Sequence, residues 1–383
     1  MSATARVELV PNSAEAWDSR FMAAALALGR RNIGQTWPNP AVGALVVRDA
    51  HTEPFVVGRG ATEIGGRPHA ETQALIAAGE KAKGATMYVT LEPCPHHGST
   101  APCTDAILHA QIARVVVALE DPNPTVGGKG IAALRAGGVK VELGVGREDA
   151  TFAHAGHLRR IREGRPQVIL KLAVSADGKS ALAGRRPIMI SGNASLAEAH
   201  MLRARNDAVL VAIGTVLSDD PLLNCRLPGM DDRTPVRVVL DGSLRTPMTS
   251  RLVKTAQQYP LWMIARTDAP VELELTLAAA GADVMRVDAG SDGRVDLRAA
   301  LALLGARGIT RLLVEGGPIL SAALIKADLV DEAIVVRSQK TLGEGAIPAI
   351  EGMPLEALIQ SPKLKLFERR AVGDDVLVHL VRS

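Results

Sequence analysis

The residues most suited to chemistry lie in the first third of the chain, where a histidine and two cysteines accompany a glutamate. His69 and Glu71 are separated by one residue, and Cys94 and Cys103 follow downstream. One imidazole and two thiolates form a three-ligand set for zinc that leaves the fourth tetrahedral position for water. Zinc lowers the pKa of such a water toward neutrality, and a nearby carboxylate can accept and return its proton. We therefore predict one Zn²⁺ per chain, held by His69, Cys94 and Cys103, with Glu71 as the catalytic acid and base.

This order of residues is typical of zinc deaminases that act on nucleobases, in which H-x-E precedes P-C-x-x-C. Here eight residues, rather than two, separate Cys94 from Cys103. The alternatives are a structural zinc site, or reduced cysteines beside a surface histidine. His96 and His97 lie between the cysteines and are competing ligands. Because three ligands are already present, we assign both histidines to a loop that lines the substrate pocket.

Composition and charge limit the classes of protein to which the chain can belong. The 383 residues exceed one typical domain, so two domains are expected. The net charge of +3, from 44 basic and 41 acidic residues, is too balanced for a nucleic-acid-binding surface. Three cysteines give no disulfide framework, and we find neither a signal peptide nor an apolar run long enough to span a membrane. We expect a cytoplasmic protein with a small-molecule partner, no nucleic acid and no membrane; a homo-oligomer is compatible with these features.

Helical and strand patterns alternate along the chain, which indicates the α/β class with a parallel or mixed sheet. In the first part, helices are predicted over 16–31, 70–78, 103–112 and 131–136, and strands over 42–47, 86–91, 114–119 and 139–143. In the second part, apolar strands are predicted over 168–174, 208–213, 236–240, 261–264 and 312–314, with paired strands over 364–369 and 376–381. We predict a zinc-dependent deaminase domain over 14–148, a connection over 149–165 and a second domain over 166–383.

Taken together, these segments resemble the bifunctional deaminase/reductase family of riboflavin biosynthesis over nearly the whole chain. The segments that carry the resemblance in the first half are 38–43, 69–71, 91–94, 98–103 and 121–124. Those in the second half are 171–179, 202–204, 214–221 and 314–318. The long spacing between Cys94 and Cys103 is characteristic of this family, so it supports the resemblance.

The resemblance implies a cytidine-deaminase-like, three-layer first domain and a dihydrofolate-reductase-like second domain, rather than a Rossmann fold. It implies zinc-dependent hydrolytic deamination of 2,5-diamino-6-ribosylamino-4(3H)-pyrimidinone 5′-phosphate. NADPH-dependent reduction of the ribosyl side chain to a ribityl chain would follow. The expected partner is thus a small, phosphorylated pyrimidine substrate, and the expected cofactors are Zn²⁺ and NADPH.

The resemblance also assigns site residues, which local patterns alone leave open. A glycine-rich turn between a strand and a helix, as at 315–318, can bind phosphate or be a simple turn. The cofactor contacts that the resemblance implies are Ala173, Met189, Thr215, Asp219, Gly242, Gly317, Pro318, Ile319, Leu320, Ser321, Ala322 and Ala323. The substrate contacts that it implies are Asn39 and His96 in the first domain and Pro187, Arg203, Leu223, Arg226 and Glu315 in the second. Without the resemblance, both arginines would be read as solvated surface charge and Asp219 as a turn residue.

The chain departs from the family pattern in both pockets. Met189 and Pro187 stand where a tryptophan and a serine are common in the reductase pocket. Thr62 stands where a pocket histidine is common, and Ser99 where the loop between the cysteines commonly carries a basic residue. We expect substrate contacts to differ at these positions while the reaction class is retained.

Two other functions are compatible with parts of the sequence. One is a single-activity zinc deaminase for a nucleobase or nucleoside, with a degenerate C-terminal domain. The other is a non-enzymatic, zinc-stabilised nucleotide sensor. The intact 315–317 segment argues against the first, and Glu71 argues against the second because a structural zinc site does not require it.

Overall fold

The computed structural model describes residues 13–98, 101–186 and 188–383. The chain divides into two compact units, Met1–Glu163 and Gly164–Ser383. Each unit is built on its own mixed β-sheet. The α/β class expected from the sequence is confirmed. Within the described ranges, no helix combines the length and the apolar character needed to cross a membrane.

The first unit contains a five-stranded sheet. Its strands are β1 (Gly43–Arg48), β2 (Phe55–Ala61), β3 (Thr86–Val89), β4 (Arg114–Val117) and β5 (Lys140–Leu143), in the order β2-β1-β3-β4-β5. β1 is antiparallel to both β2 and β3, whereas β3, β4 and β5 are parallel. Its helices are α1 (Ala14–Gly29), α2 (Ala70–Ala78), α3 (Cys103–His109), α4 (Lys129–Ala136), α5 (Arg147–Ala153) and α6 (Ala155–Glu163). Much of the stretch predicted as a connection is therefore helical.

Helices α1 and α2 cover opposite faces of this sheet, at a spacing that glycines permit. A Cβ atom on Gly60 would lie 2.1 Å from the carbonyl oxygen of Ala70 in α2. One on Gly43 would lie 1.9 Å from the carbonyl oxygen of Ala25 in α1. Gly43 pairs with Ala61, and successive side chains point to opposite faces of a sheet, so Gly43 and Gly60 face opposite sides. The result is the expected three-layer arrangement, in which α2 lies in backbone contact with β2.

The second unit contains a nine-stranded sheet and a small two-stranded one. The nine strands are β6 (Gln167–Val174), β8 (Ala208–Ala212), β9 (Val236–Leu240), β10 (Leu261–Arg266), β11 (Ala282–Val287), β12 (Arg311–Val314), β13 (Glu332–Arg337), β15 (Leu364–Val372) and β16 (Asp375–Arg382). Their order is β11-β10-β9-β8-β12-β6-β13-β16-β15. The pairs from β11 to β13 are parallel, and β16 is antiparallel to both β13 and β15. The small sheet pairs β7 (Lys179–Ala181) with β14 (Ile347–Pro348).

Helices connect most of the parallel strands of this unit. They are α7 (Asn193–Ala204), α8 (Ile213–Asp219), α9 (Arg251–Lys254), α10 (Val271–Ala279), α11 (Leu297–Ala306), α12 (Pro318–Lys326) and α13 (Glu356–Ile359). Strands that are buried on both faces read as nearly continuous apolar runs, which is why β8, β9 and β12 were predicted from the sequence. Arg237 in β9 and Arg311 at the start of β12 are the exceptions. The predicted hairpin near the C-terminus is confirmed as β15 and β16. β2 was missed because three of its seven residues are exposed and two are glycines.

Candidate active sites

Three ligand atoms converge where α2 and α3 begin. His69 is the N-cap of α2, and Cys103 is the first residue of α3. His69 Nδ1 lies 3.3 Å from Cys103 Sγ and 3.7 Å from Cys94 Sγ. Tetrahedral zinc bonds of about 2.3 Å to sulfur and about 2.0 Å to nitrogen would separate a ligand nitrogen from a ligand sulfur by about 3.5 Å. The donor set and its spacing therefore fit a zinc ion, and no other such group was found in the described ranges.

The two thiols share a hydrogen bond that polarises the pair. The hydrogen bond from the Cys103 side chain lowers the pKa of the Cys94 thiol to about 4. The same bond raises the pKa of Cys103. The Cys103 backbone N–H, at the N-terminus of α3, also donates to Cys94 Sγ at 3.5 Å. Helix N-termini favour thiolates, so Cys94 is prepared to act as an anionic metal ligand.

Glu71 lies in the first turn of α2, behind the ligand set. Its side chain is buried, with 3% of the residue exposed. Burial raises the pKa of the Glu71 carboxyl, and the carboxyl forms a hydrogen bond with the Cys103 thiol. A carboxyl group with a raised pKa that touches a metal ligand is suited both to accept and to return a proton.

Glu92 fixes the loop that carries Cys94. One of its carboxylate oxygens accepts the backbone N–H of Asp121 at 3.2 Å and of Gly128 at 3.0 Å. The other accepts the N–H of Ile131 at 3.1 Å. Glu92 is buried, so these bonds satisfy a charge that would otherwise be costly to desolvate. They connect the Cys94 loop to the segment after β4 and to the first turn of α4.

Asn39 is held in a tight turn against the segment that precedes α2. Its Nδ2 donates to the carbonyl oxygen of Gly66 at 2.9 Å, and its own carbonyl accepts from Thr36 Oγ1 at 3.0 Å. Gly66 has a φ of +86°, and a Cβ there would lie 2.4 Å from Asn39 Nδ2, so only glycine fits. The hydrogen bond fixes the amide orientation and leaves Oδ1 as the remaining acceptor.

Two other positions of the expected deaminase pocket have different environments. His96 is exposed on the loop that follows Cys94. Thr62 is buried, and its hydroxyl accepts the backbone N–H of Val42 at 3.0 Å. Thr62 therefore has a structural role where the family pattern has a pocket histidine. Ser99 lies outside the described residues.

The second unit contains a cavity of about 1070 Å³ at the carboxyl ends of its central parallel strands. The residues expected to contact the cofactor that line it are Ala173, Thr215, Asp219, Gly242, Gly317, Pro318, Ile319, Leu320 and Ala323. Ser321 and Ala322 are buried within α12 and do not line the cavity. Met189 is 63% exposed and is also absent from the lining. The cavity has the size of a large ligand site and includes most of the expected contacts.

The N-terminus of α12 opens into this cavity. Gly317 is the N-cap and Pro318 the first helical residue. Unpaired N–H groups and the helix dipole at such a position favour a bound anion. The cavity therefore offers a phosphate-binding end at the turn where the sequence left two interpretations open.

Glu315 and Arg203 form a two-pronged ion pair in this unit. Arg203 Nε donates to Glu315 Oε1 at 2.7 Å, and Nη2 donates to Oε2 at 2.8 Å. The Arg203 and Glu315 side chains are 11% and 12% exposed. Burial raises the pKa of Glu315, but Arg203 outweighs it, so the carboxyl stays below its usual range. That Arg203 binds a phosphate stays a prediction. The structure shows in addition that Arg203 pairs with Glu315.

Lys171 lines the cavity together with Glu315. Burial lowers the pKa of the Lys171 ammonium, and the charge of Glu315 opposes that shift only in part. A buried lysine with a lowered pKa gives up its proton more readily than a solvated one. Lys171 begins the segment 171–179 that carries the resemblance, where it is a candidate for a group that orients the ligand.

Two further expected substrate contacts, Arg226 and Leu223, are not part of the cavity lining. Arg226 is exposed, and its Nη1 donates to Asn224 Oδ1 at 2.7 Å. Leu223 is 3% exposed with a φ of +55°, so its side chain belongs to the core and its backbone is the part that can meet a ligand. Pro187 lies outside the described residues.

Sequence reasoning missed a group of arginines in the cavity wall. The members are Arg245, Arg266, Arg294 and Arg298. Arg266 ends β10, and its Nη1 donates to the carbonyl oxygen of Gly293 at 2.7 Å. These arginines come from three stretches of the chain, so no motif unites them: the segment after β9, the end of β10, and the segment from the end of β11 to the first turn of α11. The available signal was their position after parallel strands, where α/β proteins bind ligands.

Both halves of the chain are similar to known proteins. The model described as cytidine and deoxycytidylate deaminase zinc-binding region matches residues 15–119, and the RibD C-terminal domain model matches 166–378. Riboflavin biosynthesis protein RibD of Escherichia coli (strain K12) is 39% identical over 375 residues, which cover 95% of this chain and 99% of that protein. The RibD protein of Aquifex aeolicus (strain VF5) is 37% identical over 365 residues, covering 95% and 98%.

Solved structures give the same result. Acinetobacter baumannii RibD superposes with a TM-score of 0.85 at 34% identity, covering 96% of this chain and 99% of that one. A diaminohydroxyphosphoribosylaminopyrimidine deaminase/5-amino-6-(5-phosphoribosylamino)uracil reductase from Thermotoga maritima gives a TM-score of 0.81 at 30% identity, covering 96% and 99%. With its cytidine-deaminase-like first domain and its dihydrofolate-reductase-like second domain, the chain belongs to the RibD family of bifunctional riboflavin biosynthesis enzymes.

Proposed function

We propose that the chain catalyses two consecutive steps, one in each unit. The first unit hydrolyses the 2-amino group of 2,5-diamino-6-ribosylamino-4(3H)-pyrimidinone 5′-phosphate. The second unit reduces the ribosyl side chain of the product to a ribityl chain with NADPH. The observation that carries the proposal is the convergence of His69, Cys94 and Cys103 beside the buried Glu71. The membership of both halves in the RibD family supports it.

In the deamination, the protein's own contribution is proton transfer. A zinc ion in this ligand set supplies a water whose pKa is near neutrality. The Glu71 carboxylate accepts a proton from that water and passes it to the amino nitrogen, which leaves as ammonia. A C–O bond forms at C2 of the ring as the C–N bond breaks. Because burial raises its pKa, Glu71 can hold the proton between the two transfers.

The ring must be held so that C2 faces this water. We propose that Asn39 does so, since its amide is fixed by Gly66 and keeps an acceptor for an N–H group of the pyrimidine. His96, on the loop between the two cysteines, is exposed and can contact the sugar or the ring from that side. Both assignments can be tested by the KM of the deaminase substrate.

In the reduction, one hydride and one proton must reach the ribosyl group. Bound in the cavity, NADPH would supply the hydride to C1′. The C1′–O4′ bond of the ribosyl ring would break and O4′ would take up the proton, which gives the ribityl chain. We propose that Lys171 provides the proton, because burial in the cavity lowers its pKa and makes the ammonium a better acid. Glu315, fixed by Arg203, orients Lys171 and the substrate hydroxyl groups.

Charge in the cavity supports a dinucleotide phosphate cofactor. The N-terminus of α12 and the arginines of the cavity wall favour the anionic groups of NADPH. The exposed Arg226 is proposed to bind the substrate 5′-phosphate, together with Arg203. The functional boundaries of 14–148, 149–165 and 166–383 are part of the same proposal.

The setting of the enzyme is also proposed from its sequence. A cytoplasmic location, small-molecule ligands rather than nucleic acid or membrane, and assembly into a homo-oligomer are compatible with the balanced charge. Fractionation of cells and light scattering of the purified protein measure these properties directly.

Mass analysis of the products tests the two-step function. The zinc-loaded enzyme is incubated with the phosphorylated diaminopyrimidine, with and without NADPH. Without NADPH, the product should show an amino-to-oxo exchange; with NADPH, it should also gain two hydrogens. A Glu71→Gln variant should fail in the first step but still reduce a supplied deaminated intermediate. A single-activity deaminase would give the same product in both samples.

A further inference from the structure

Arg67 is a positively charged residue beside the metal-ligand set that the proposed function leaves without a role. It follows Gly66, which is hydrogen-bonded to Asn39, and it precedes His69 by two residues. Its guanidinium reaches the loop between the two cysteines, since Nη2 lies 3.1 Å from the position of a Cβ on Gly98. Arg67 thus lies between two segments: the turn that is proposed to hold the ring, and the loop between the two cysteines.

The rest of the guanidinium lies close to the same loop. Its Cζ is 4.0 Å from the position of a Cβ on Gly98. The side chain is half-buried, which strengthens its interactions relative to those of a fully solvated arginine.

The loop between the cysteines lacks a permanent positive charge of its own. Residues 95–102 contain neither lysine nor arginine. The proposed substrate carries a 5′-phosphate, whose charge requires a partner when it leaves water. A guanidinium suits this task because its planar donors match two phosphate oxygens.

We propose that Arg67 binds the 5′-phosphate of the pyrimidine substrate in the deaminase site. Arg67 supplies from the segment before α2 the positive charge that the loop between the cysteines lacks. Gly98 contributes by its lack of a side chain, because a Cβ would crowd the guanidinium at 3.1 Å. The assignment rests on the proposed deaminase function and adds a residue that determines specificity for phosphorylated substrates.

The test compares two substrates on the zinc-loaded enzyme: the phosphorylated diaminopyrimidine and the same compound after removal of its phosphate. Arg67→Ala should lower kcat/KM for the phosphorylated substrate by about 10- to 100-fold, the range of a charge-assisted hydrogen bond. It should leave kcat/KM for the dephosphorylated compound nearly unchanged. Arg67→Lys should recover part of the loss, because it keeps the charge without the planar donors.

Two control variants make the test specific. Arg59 is an exposed arginine on β2, so Arg59→Ala removes the same charge elsewhere in the first unit. It should leave kcat/KM unchanged for both substrates. Arg160 donates to the carbonyl oxygen of Pro38, next to Asn39, and is the local comparison. A phosphate-specific loss in Arg160→Ala but not in Arg67→Ala would overturn the assignment.

A structural role for Arg67 would give a different pattern. Equal losses with both substrates, or a lower zinc content in Arg67→Ala, would overturn phosphate binding. Ribose 5-phosphate gives a second measurement, since its inhibition constant against deamination should rise in Arg67→Ala; an unchanged constant would contradict the assignment. If the wild-type, zinc-loaded enzyme deaminated neither compound, the proposed function itself would be refuted, which separates the two failures.

Discussion

Removal of Arg203 should lower the unfolding temperature of the second unit strongly. Its partner Glu315 would keep a largely buried carboxylate without the two charge-assisted bonds that stabilise it. Breaking one side of a buried ion pair costs about 3–5 kcal/mol. For domains of about 150–250 residues, each kcal/mol shifts Tm by about 2–4 °C. Arg203→Met should therefore lower Tm by about 6–20 °C.

Differential scanning calorimetry of the full chain measures this effect. We expect NADPH to shift the transition of the second unit, which identifies that transition. The double variant Arg203→Met with Glu315→Met should recover most of the loss, because an apolar pair of similar volume leaves no unpaired charge. Lys363→Met is the matched control, since Lys363 and Asp328 form an ion pair with side chains 58% and 45% exposed. Such a pair contributes about 0–1 kcal/mol.

The loss should also shrink in acid. In the folded wild-type protein the pKa of Glu315 lies below its usual value, which is about 4.3 in the unfolded chain. The ion pair therefore stabilises the fold fully at pH values above about 4.3. This stabilisation is lost as the pH falls through the lowered pKa of the folded state. Without Arg203, burial raises that pKa, so the carboxyl takes up a proton at a higher pH and its penalty disappears. A Tm change below about 2 °C near neutral pH, or a double variant as unstable as the single one, would refute this reasoning.

The other predictions concern zinc, the cofactor, the substrate phosphate and acid stability. Glu71→Gln should keep about one zinc per chain and lower the kcat of deamination by about 100- to 10,000-fold, measured by metal analysis and ammonia release; near-normal turnover would contradict proton transfer by Glu71. The fragment 164–383 should fold and show a higher Tm with NADPH; a folded fragment that did not respond would place the cofactor site elsewhere. Arg226→Ala should raise the KM of the reductase substrate but not that of NADPH, and the reverse result would assign Arg226 to the cofactor. Burial lowers the pKa of His154 to about 3, so the unfolded chain binds a proton there as pH falls below about 6.5 while the folded chain does not. Urea unfolding at neutral pH and near pH 4.5 should therefore show a smaller acid loss in His154→Gln than in wild type, and an equal loss would mean that other groups dominate.

The metal site was predictable because its residues lie at the ends of regular elements. His69 caps α2, Glu71 is in the first turn of α2, and Cys103 begins α3. Their spacing in the sequence therefore indicates their relative positions in the fold. The bracing of Glu92 was not predictable in this way. Its hydrogen-bond partners lie 29 to 39 residues further along the chain, beyond any local pattern.

In the second unit, even less of the structure could be predicted from local sequence patterns. Alternating helices and apolar strands predicted an α/β domain, but the strand order is set by tertiary packing that this alternation does not encode. Its dihydrofolate-reductase-like character was therefore available only through resemblance. Arg203 and Glu315, 112 residues apart, form an ion pair that no spacing rule could suggest.

The close approach of α2 to β2 has a consequence for how this enzyme can change over evolution. Gly58 and Gly60 both face α2, and a Cβ on either would lie 2.1 Å from a carbonyl oxygen of that helix. Even alanine at these positions must lift the helix, and with it the histidine and glutamate at its start. The two glycines therefore constrain catalysis without touching a ligand. In a saturation-mutagenesis screen for activity, they should tolerate substitution as poorly as the metal ligands themselves.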